Sequence, residues 1–456
     1  MKLTIIGAGG VRTPLVIQSL LNAGAALPLR EVSLMDVDGE RLELMRIATT
    51  PRLERQPAHF ALSWTTDARR AIAGADFVIT TFRAGDMPSR QIDERVPLRY
   101  GVLGQETTGP GGLAMGLRTI PVLLDYVRLL RELAPGAWLL NFTNPAGMVT
   151  EAVTRAAGYE KAVGICDNPA NMVRFAARLS GVPPQRIFPE YYGLNHLGWL
   201  RALFLDGADV APALLAGLRA AGSVPGLPFD FGLIEALGAF PNEYLYYYYH
   251  PRESVENILR SGQSRADQIL PLNERLYAGL RRVRAEEAGP ESIEPLYADY
   301  LRARSATYMS LETGARAHEL GAGETVAVAA EGYAAVAVDL ILALTGRGGA
   351  ATPILNVPNR GAIPGMAADD VVEVTCYAGN GVIRPLAMGA IPDHALGLMK
   401  QVKACERLII QAALENSYSL ALQAFALHPL VPSFRVAKAI LDDYLREHGD
   451  YFPRLR

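Results

Sequence analysis

The chain has 456 residues, of which 50% are hydrophobic and 20% are charged, and its formal net charge is -3. This composition excludes extensive disorder and argues against nucleic acid or an anionic membrane as a partner. Its cysteines, Cys166, Cys376 and Cys405, make no disulfide framework, and no signal peptide is visible, so we expect a cytoplasmic protein.

The first predicted element is a strand over residues 1–6 that ends in a glycine turn and is followed by an apolar helix. Gly7 and Gly9 permit a tight turn and the close approach of a pyrophosphate, which the helix N-terminus can stabilise. The usual third glycine of such a turn is replaced by Arg12. The turn therefore predicts a dinucleotide site, although a glycine turn in some other α/β protein has the same appearance.

A second predicted strand, over residues 32–36, ends in Asp36. In an NAD site the acid at the end of this strand accepts hydrogen bonds from a ribose hydroxyl. The position of Asp36 after the glycine turn therefore supports NAD as the dinucleotide.

Strands and helices continue to alternate through the first third of the chain. This pattern predicts a doubly wound parallel sheet whose ligand lies beyond the carboxyl ends of the strands. The predicted strands are 75–81, 137–142 and 162–165, and the predicted helices include 117–133 and 146–157.

The pattern changes after residue 193 to long helices with a few strands around 371–388. We therefore predict a Rossmann-like NAD-binding domain over 1–180 and a mixed α+β domain over 181–456 for substrate, metal and oligomerisation. The apolar stretch 326–344 contains acidic residues, which favours a buried core helix over a membrane span. The Pro/Gly-rich segment 356–365 is predicted as a structured loop.

Two short glycine-punctuated segments carry a cysteine and a histidine with small polar neighbours. A thiolate and an imidazole can together bind a divalent transition metal, although a lone Cys and a lone His are more often buried packing residues. The segments are Gly164-Ile165-Cys166-Asp167-Asn168-Pro169 and Gly193-Leu194-Asn195-His196-Leu197-Gly198-Trp199.

With these motifs, the chain resembles the NAD- and metal-dependent glycosidases of glycoside hydrolase family 4. The resemblance covers nearly the whole chain, and within the family it is strongest to the 6-phospho-β-glucosidases, notably over 193–199, 241–249 and 426–432. The further motifs that carry it are the loop 100–112, Asn141-Phe142-Thr143-Asn144-Pro145 and Pro241-Asn242-Glu243-Tyr244-Leu245.

The resemblance implies a lactate/malate dehydrogenase-like fold and hydrolysis of 6-phospho-β-glucosides to glucose 6-phosphate and an aglycone. In this chemistry NAD removes hydride from sugar C3, a base takes the C2 proton, the aglycone leaves by elimination, water adds and the hydride returns. A 6-phosphate sugar is the implied substrate.

Residue roles follow from the same resemblance. Cys166 and His196 match the metal ligands, and the metal is Mn²⁺ or another divalent ion. Tyr244 matches the base, with Tyr246 or Tyr247 as the next choice. A phenol has a pKa of about 10, so the base requires positive charge nearby.

Asp167 departs from the β-acting relatives, many of which have Asn at this position. In some α-acting relatives this acid protonates the leaving group. The alternative is that Asp167 orients metal-bound water or substrate.

The remaining site residues are assigned by similarity in three groups. The cofactor contacts are Gly7, Gly9, Gly10, Asp36 and Asn141. The substrate contacts are Arg90, Asn144 and Arg265, of which Arg265 suits a 6-phosphate because a guanidinium donates paired hydrogen bonds. Glu106 and Asn195 are possible supporting residues.

Alternatives to this function stay open. The protein could act on an α-linked or non-phosphorylated sugar, could be an NAD-dependent 2-hydroxy-acid dehydrogenase, or could be a non-catalytic NAD sensor. We expect a small-molecule phosphosugar partner, no nucleic acid and no membrane, and a homodimer or homotetramer.

Overall fold

Two sheets organise the protein, a computed structural model of which describes residues 1–220, 228–314 and 334–456. The strands of these residues are β1 (Lys2–Ile6), β2 (Glu31–Met35), β3 (Ala61–Thr65), β4 (Phe77–Thr80), β5 (Trp138–Asn141), β6 (Ala162–Gly164), β7 (Ile187–Leu194), β8 (Leu197–Leu205), β9 (Ala208–Asp209), β10 (Phe240–Pro241), β11 (Ile354–Pro358), β12 (Val371–Gly379) and β13 (Val382–Pro385).

Helices cover the sheets and form most of the C-terminal half. The first seven are α1 (Thr13–Ala23), α2 (Gly39–Arg55), α3 (Ala68–Ile72), α4 (Asp86–Leu98), α5 (Pro110–Leu133), α6 (Ala146–Glu151) and α7 (Asp167–Leu179). Those that follow in the described residues are α8 (Ala211–Ala220), α9 (Phe231–Leu237), α10 (Tyr246–Tyr249), α11 (Pro251–Ser261), α12 (Arg265–Ala285), α13 (Pro290–Ala306), α14 (Ala335–Leu344), α15 (Asp393–Glu415), α16 (Tyr418–Leu427) and α17 (Phe434–His448).

The large sheet has nine strands in the order β13-β12-β11-β6-β5-β4-β1-β2-β3. Strands β1 to β6 are parallel, and Leu3, Ile5, Val78 and Leu139 of its centre are fully buried. The strand order reverses between β1 and β4, and in such sheets a ligand binds at this point, beyond the carboxyl ends. The predicted doubly wound parallel sheet is confirmed.

The C-terminal half adds strands to the same sheet. β11 lies antiparallel to β6, with Asn356 opposite Gly164, and β12 and β13 continue the edge. The predicted loop at 356–365 is therefore wrong at its start, because residues up to Pro358 belong to β11. The division into domains at residue 180 stays a prediction.

A hairpin of β7 and β8 forms the centre of the second sheet. The predicted change to long helices after residue 193 is wrong here, since 197–205 is a strand. Both strands are largely buried on both faces, so they lack the alternation of polar and apolar residues that indicates a half-exposed strand. The hairpin turn carries His196, whose φ is 61°.

The predicted core helix over 326–344 lies partly outside the described residues. Its described part includes α14, most of whose residues are buried. Within the described part of the chain, no helix is both long and apolar enough to cross a membrane.

Candidate active site

A cavity of about 1360 Å³ lies at the carboxyl ends of the parallel strands. The glycine turn and Asp36 line one part of it, and Cys166 and His196 line another. The predicted cofactor site at the strand ends and the residues predicted to bind the metal therefore line the same cavity.

The glycine turn is fixed by close backbone contacts. Gly7 has φ of 98°, and a Cβ there would lie 2.6 Å from the Phe82 backbone nitrogen, so a larger side chain is excluded. The Gly9 N–H donates to Asp36 Oδ2 at 2.8 Å, while the Gly10 N–H donates to the Gly7 carbonyl at 3.1 Å. Asp36, predicted to contact a ribose hydroxyl, is thus held against the glycine turn.

Asn141 is not brought to the cavity wall. Its side-chain oxygen accepts from Thr80 and from the Thr143 N–H, and its nitrogen donates to Thr150 and to the Thr143 carbonyl. The side chain is buried and shapes the turn after β5. These hydrogen bonds occupy the side-chain amide, and a contact of Asn141 with the cofactor stays a prediction.

Cys166 and His196 come together as predicted. Cys166 precedes α7, His196 lies in the β7–β8 turn, and Sγ and Nε2 are 3.5 Å apart. Both residues are buried, at 8% and 6% exposure. Two donor atoms this close and facing one cavity can bind the same ion.

The imidazole of His196 has a defined orientation. Its Nδ1 lies 2.8 Å from the Thr107 hydroxyl, which leaves Nε2 facing Cys166. Burial lowers the pKa of His196 to about 4, so the ring is neutral at pH 7. A neutral imidazole is the form that binds a metal.

The chemistry of the donor set fits a catalytic metal. No group of three or more His, Cys, Asp or Glu residues suited to a metal ion occurs in residues 1–220, 228–314 and 334–456. A metal held by Cys166 and His196 would therefore keep positions open for water or substrate oxygens, as catalytic sites do. Burial, and then Glu373 and Asp167, raise the pKa of Cys166, and a cation would reverse this.

Tyr244 lies directly against the histidine. The two rings stack with centroids 3.8 Å apart and planes 5° apart. Burial and the Glu243 carboxylate raise the pKa of Tyr244 well above its usual value. The chain alone thus disfavours the phenolate. Arg90 lies near enough to interact electrostatically with the phenol, and a cation bound at Cys166 and His196 would add further positive charge.

The two other tyrosines predicted as possible bases differ in placement. Tyr247 lines the cavity, with its ring 6.0 Å from that of Tyr244. Tyr246 is buried and stacks on His250 with centroids 4.7 Å apart. Tyr247 is therefore the better placed of the two.

Asp167 lines the cavity at the first turn of α7. Its Oδ2 lies 3.7 Å from Arg12 Nη1, and the two side chains are 36% and 39% exposed. This contact ties the residue after Cys166 to the glycine turn.

Arg90 is buried and binds two acids. Its Nε donates to Glu94 at 2.7 Å, and its Nη1 lies 3.1 Å from Glu106 Oε2. Arg83 also pairs with Glu106. Although burial opposes ionisation, the two guanidinium groups lower the pKa of Glu106 to about 2. Glu106 thus fixes both arginines at the cavity wall.

Arg265 begins α12 and also lines the cavity. Its side chain donates to the Thr307 carbonyl and the Arg304 carbonyl, each at 2.8 Å. Burial, then the nearby Arg304 and Arg90, lower the pKa of Arg265 to about 10. The lowered pKa thus reflects burial first and the neighbouring arginines second.

The last two predicted residues, Asn144 and Asn195, take different positions. Asn144 lines the cavity, as expected of a substrate contact. Asn195 donates to Glu373 Oε1 at 3.1 Å, and its side chain also lies near the Cys166 sulfur. Asn195 therefore supports the metal pair.

The structure adds residues that the sequence analysis did not select. Glu243 stands beside Tyr244 in a quoted motif, whereas Arg304 and Tyr308 follow no motif. All three line the cavity. Arg304 donates to the Tyr300 hydroxyl at 3.0 Å and forms no ion pair with any residue the structure describes.

Known proteins resemble this chain over its full length. The sequence matches the family 4 glycosyl hydrolase model over residues 2–182 and the C-terminal domain model of the same family over residues 191–431. A probable 6-phospho-beta-glucosidase of Bacillus subtilis (strain 168) is 34% identical over 462 residues, covering 100% of this chain and 98% of the relative.

Solved structures agree. The Thermotoga maritima 6-phospho-beta glucosidase with manganese, NAD+ and glucose-6-phosphate has a TM-score of 0.81 at 29% identity, covering 99% of each chain. A 6-phospho-alpha-glucosidase from gut microorganisms, in complex with NAD and glucose-6-phosphate, has a TM-score of 0.84 at 27% identity, covering 100% of this chain and 99% of that one. The family-model matches and the 34% identity over the full length establish that this chain belongs to family 4 of the glycosyl hydrolases.

Proposed function

We propose that the protein hydrolyses 6-phosphoglucosides, with preference for the β-linkage, and that it uses NAD⁺ and a divalent metal, Mn²⁺. The observation that carries this proposal is the placement of Cys166, His196 and Tyr244 in the same cavity as the glycine turn. An ordinary 2-hydroxy-acid dehydrogenase needs no metal-binding thiolate in that cavity. The names of the relatives in the preceding subsection agree with a phosphosugar glycosidase.

The residues at the turn fit NAD⁺. The turn at Gly7 and the N-terminus of α1 suit a pyrophosphate, and Asp36, fixed by the Gly9 N–H, can accept from a ribose hydroxyl. When bound, the nicotinamide supplies reversible hydride removal at sugar C3. We assign this part of the cavity to the predicted cofactor domain, 1–180, and the sugar end to 181–456 together with Cys166.

Cys166 and His196 would hold the metal, which supplies Lewis acidity toward the sugar's O2 and O3. Thr107 keeps the imidazole in place through Nδ1, and Asn195 supports the cysteine. These contacts orient the two ligands before the ion binds.

Tyr244 is the base that removes the C2 proton in this proposal. Its ring lies on His196, so a sugar bound at the metal pair would present C2 beside the phenol. Arg90 adds positive charge on the same wall and stabilises the phenolate. Asn144, from the turn after β5, contributes a polar contact to the sugar.

The 6-phosphate would bind near Arg265 and Arg304. Arg265 is buried close to two other arginines, and burial first, then Arg304 and Arg90, lower its pKa. Arg304 forms no close ion pair among the described residues, although it is near enough to Glu106 to lower the pKa of that carboxyl. Its guanidinium suits a phosphate. A dianionic group would relieve the repulsion between these arginines.

The test is a set of chromogenic glucosides, α- and β-linked, with and without a 6-phosphate, assayed with NAD⁺, Mn²⁺ and a reductant. We expect turnover of the phosphorylated β-glucoside with no net NADH release. Stoichiometric NADH would indicate a dehydrogenase, and preference for the α-linked or neutral sugar would overturn the corresponding part of the proposal. Light scattering of the same sample tests the expected homodimer or homotetramer.

A further inference from the structure

A third tyrosine stands at the reactive end of the cavity. Tyr308 lies in the turn that follows α13, and 43% of its surface is exposed toward the cavity mouth. Its hydroxyl donates to Glu243 Oε1 and lies 3.3 Å from the Tyr244 hydroxyl. A hydroxyl has one proton and two lone pairs, so it can contact both groups at once.

Glu243 is itself held in place. Its Oε1 also accepts from the Asn168 side chain, whose oxygen accepts from Asn242. Asn168 belongs to α7, the helix that begins after Cys166. Through Glu243, the Tyr308 hydroxyl is therefore fixed relative to the helix that follows the metal-ligand cysteine.

The stacking of Tyr244 on His196 does not by itself prevent the phenol ring from sliding within its own plane. Stacking sets the plane of the phenol ring, with an interplanar angle of 5°. It sets only weakly where the ring lies within that plane, because sliding changes the stacking energy little. Neighbouring side chains such as Tyr247 limit the sliding of the ring, and among the described residues the hydroxyl oxygen itself has a hydrogen-bonding contact with Tyr308.

We propose that Tyr308 is a positioning residue for the proton-transfer step, which holds the Tyr244 hydroxyl at the sugar and ties it to Glu243. The inference rests on the proposed function, since it takes Tyr244 as the base. Proton transfer depends steeply on donor and acceptor geometry, so a small displacement of the oxygen slows the reaction without preventing sugar binding.

The test is Tyr308→Phe, which removes one hydroxyl from a half-exposed ring. We expect kcat on the preferred glycoside to fall by roughly 10- to 100-fold while KM changes by less than about twofold. Solvent deuterium incorporation at C2 of the product sugar should fall in parallel. NAD⁺ affinity equal to wild type checks that the variant is folded.

A double mutant separates positioning from a merely structural role. If Tyr308 acts through Tyr244, Tyr244→Phe/Tyr308→Phe should be no slower than Tyr244→Phe alone. The matched control is Tyr418→Phe, which removes a hydroxyl that donates to Asp442 at 2.7 Å outside the cavity, and which should keep wild-type kcat.

Unchanged kcat in Tyr308→Phe, a rise in KM alone, or losses that multiply in the double mutant would each overturn this inference and leave the proposed function standing. A wild type without NAD⁺-dependent cleavage, or full C2 exchange in Tyr244→Phe, would overturn the proposed function and the inference together.

Discussion

The rings of His196 and Tyr244 lie face to face, with centroids 3.8 Å apart. This contact couples two roles that are usually separated, because a residue that would bind the metal also carries the base on its ring face. A cation at Nε2 would therefore act on the phenol at short range. The same ion would favour both the Cys166 thiolate and the Tyr244 phenolate.

Metal removal should abolish turnover. Chelation should stop glycoside cleavage, and Mn²⁺ should restore it better than Mg²⁺, because a thiolate favours the softer ion. Cys166→Ser should weaken Mn²⁺ binding by at least about tenfold, measured by calorimetry. Cys405→Ser is the control, since Cys405 is a buried cysteine outside the cavity lining whose thiol donates to the Gln401 carbonyl. Full activity in chelator would exclude the metal mechanism.

Loss of the phenol should stop proton abstraction. We expect Tyr244→Phe to lower kcat by about 100- to 10,000-fold, with NAD⁺ affinity nearly unchanged. Deuterium incorporation at C2, followed by NMR, should fall with it. The variant Tyr247→Phe tests whether the neighbouring tyrosine is the base instead. If only that variant loses C2 exchange, the base is Tyr247.

The phosphate proposal is tested on paired substrates. Arg265→Ala should lower kcat/KM for the 6-phosphate glucoside by roughly 30- to 1,000-fold, whereas Arg265→Lys should lower it less, because lysine keeps the charge and loses the paired hydrogen bonds. Arg304→Ala should act in the same direction. An equal loss of kcat/KM on the unphosphorylated glucoside would show that neither arginine binds the phosphate.

The stability of the metal-free protein should depend on Glu373. Burial raises the pKa of this carboxyl from 4.5 to about 7, despite hydrogen bonds from Asn195, Asn356 and Tyr191. Between these values the folded state binds more protons than the unfolded state, so the free energy of unfolding falls as pH rises. Glu373→Gln should remove this part of the pH dependence.

The measurement is denaturant unfolding of wild type and Glu373→Gln in chelator from pH 4.5 to pH 8. As the pH rises across this window, the free energy of unfolding of the glutamine variant should increase relative to that of wild type by on the order of a few kcal/mol. A constant difference between the two proteins would show that Glu373 titrates normally.

Local patterns predicted the cofactor end of the fold well. A strand, a glycine turn and an acid after the next strand are close in sequence, so the pairing of Gly9 with Asp36 could be predicted. The roles of Cys166 and His196 came from the family resemblance, and the structure places Sγ and Nε2 3.5 Å apart, while metal binding stays a prediction.

The remaining features lacked a local signal. The β7–β8 hairpin is buried on both faces, which removes the alternation that indicates strands. Arg304 and Tyr308 reach the cavity from the end of a long helix, so only the tertiary packing identifies them. The motif around Asn141 was recognised, but a motif does not reveal that the amide points inward to Thr80 and Thr143.

The continuity of the large sheet bears on whether parts of this chain can fold separately. The antiparallel contact of Asn356 with Gly164 places a C-terminal strand next to β6. A fragment ending near residue 180 would leave β6 as an unprotected edge, open to association with other chains. The parts of the chain before and after residue 180 therefore share one sheet, and neither would be expected to fold as an independent module.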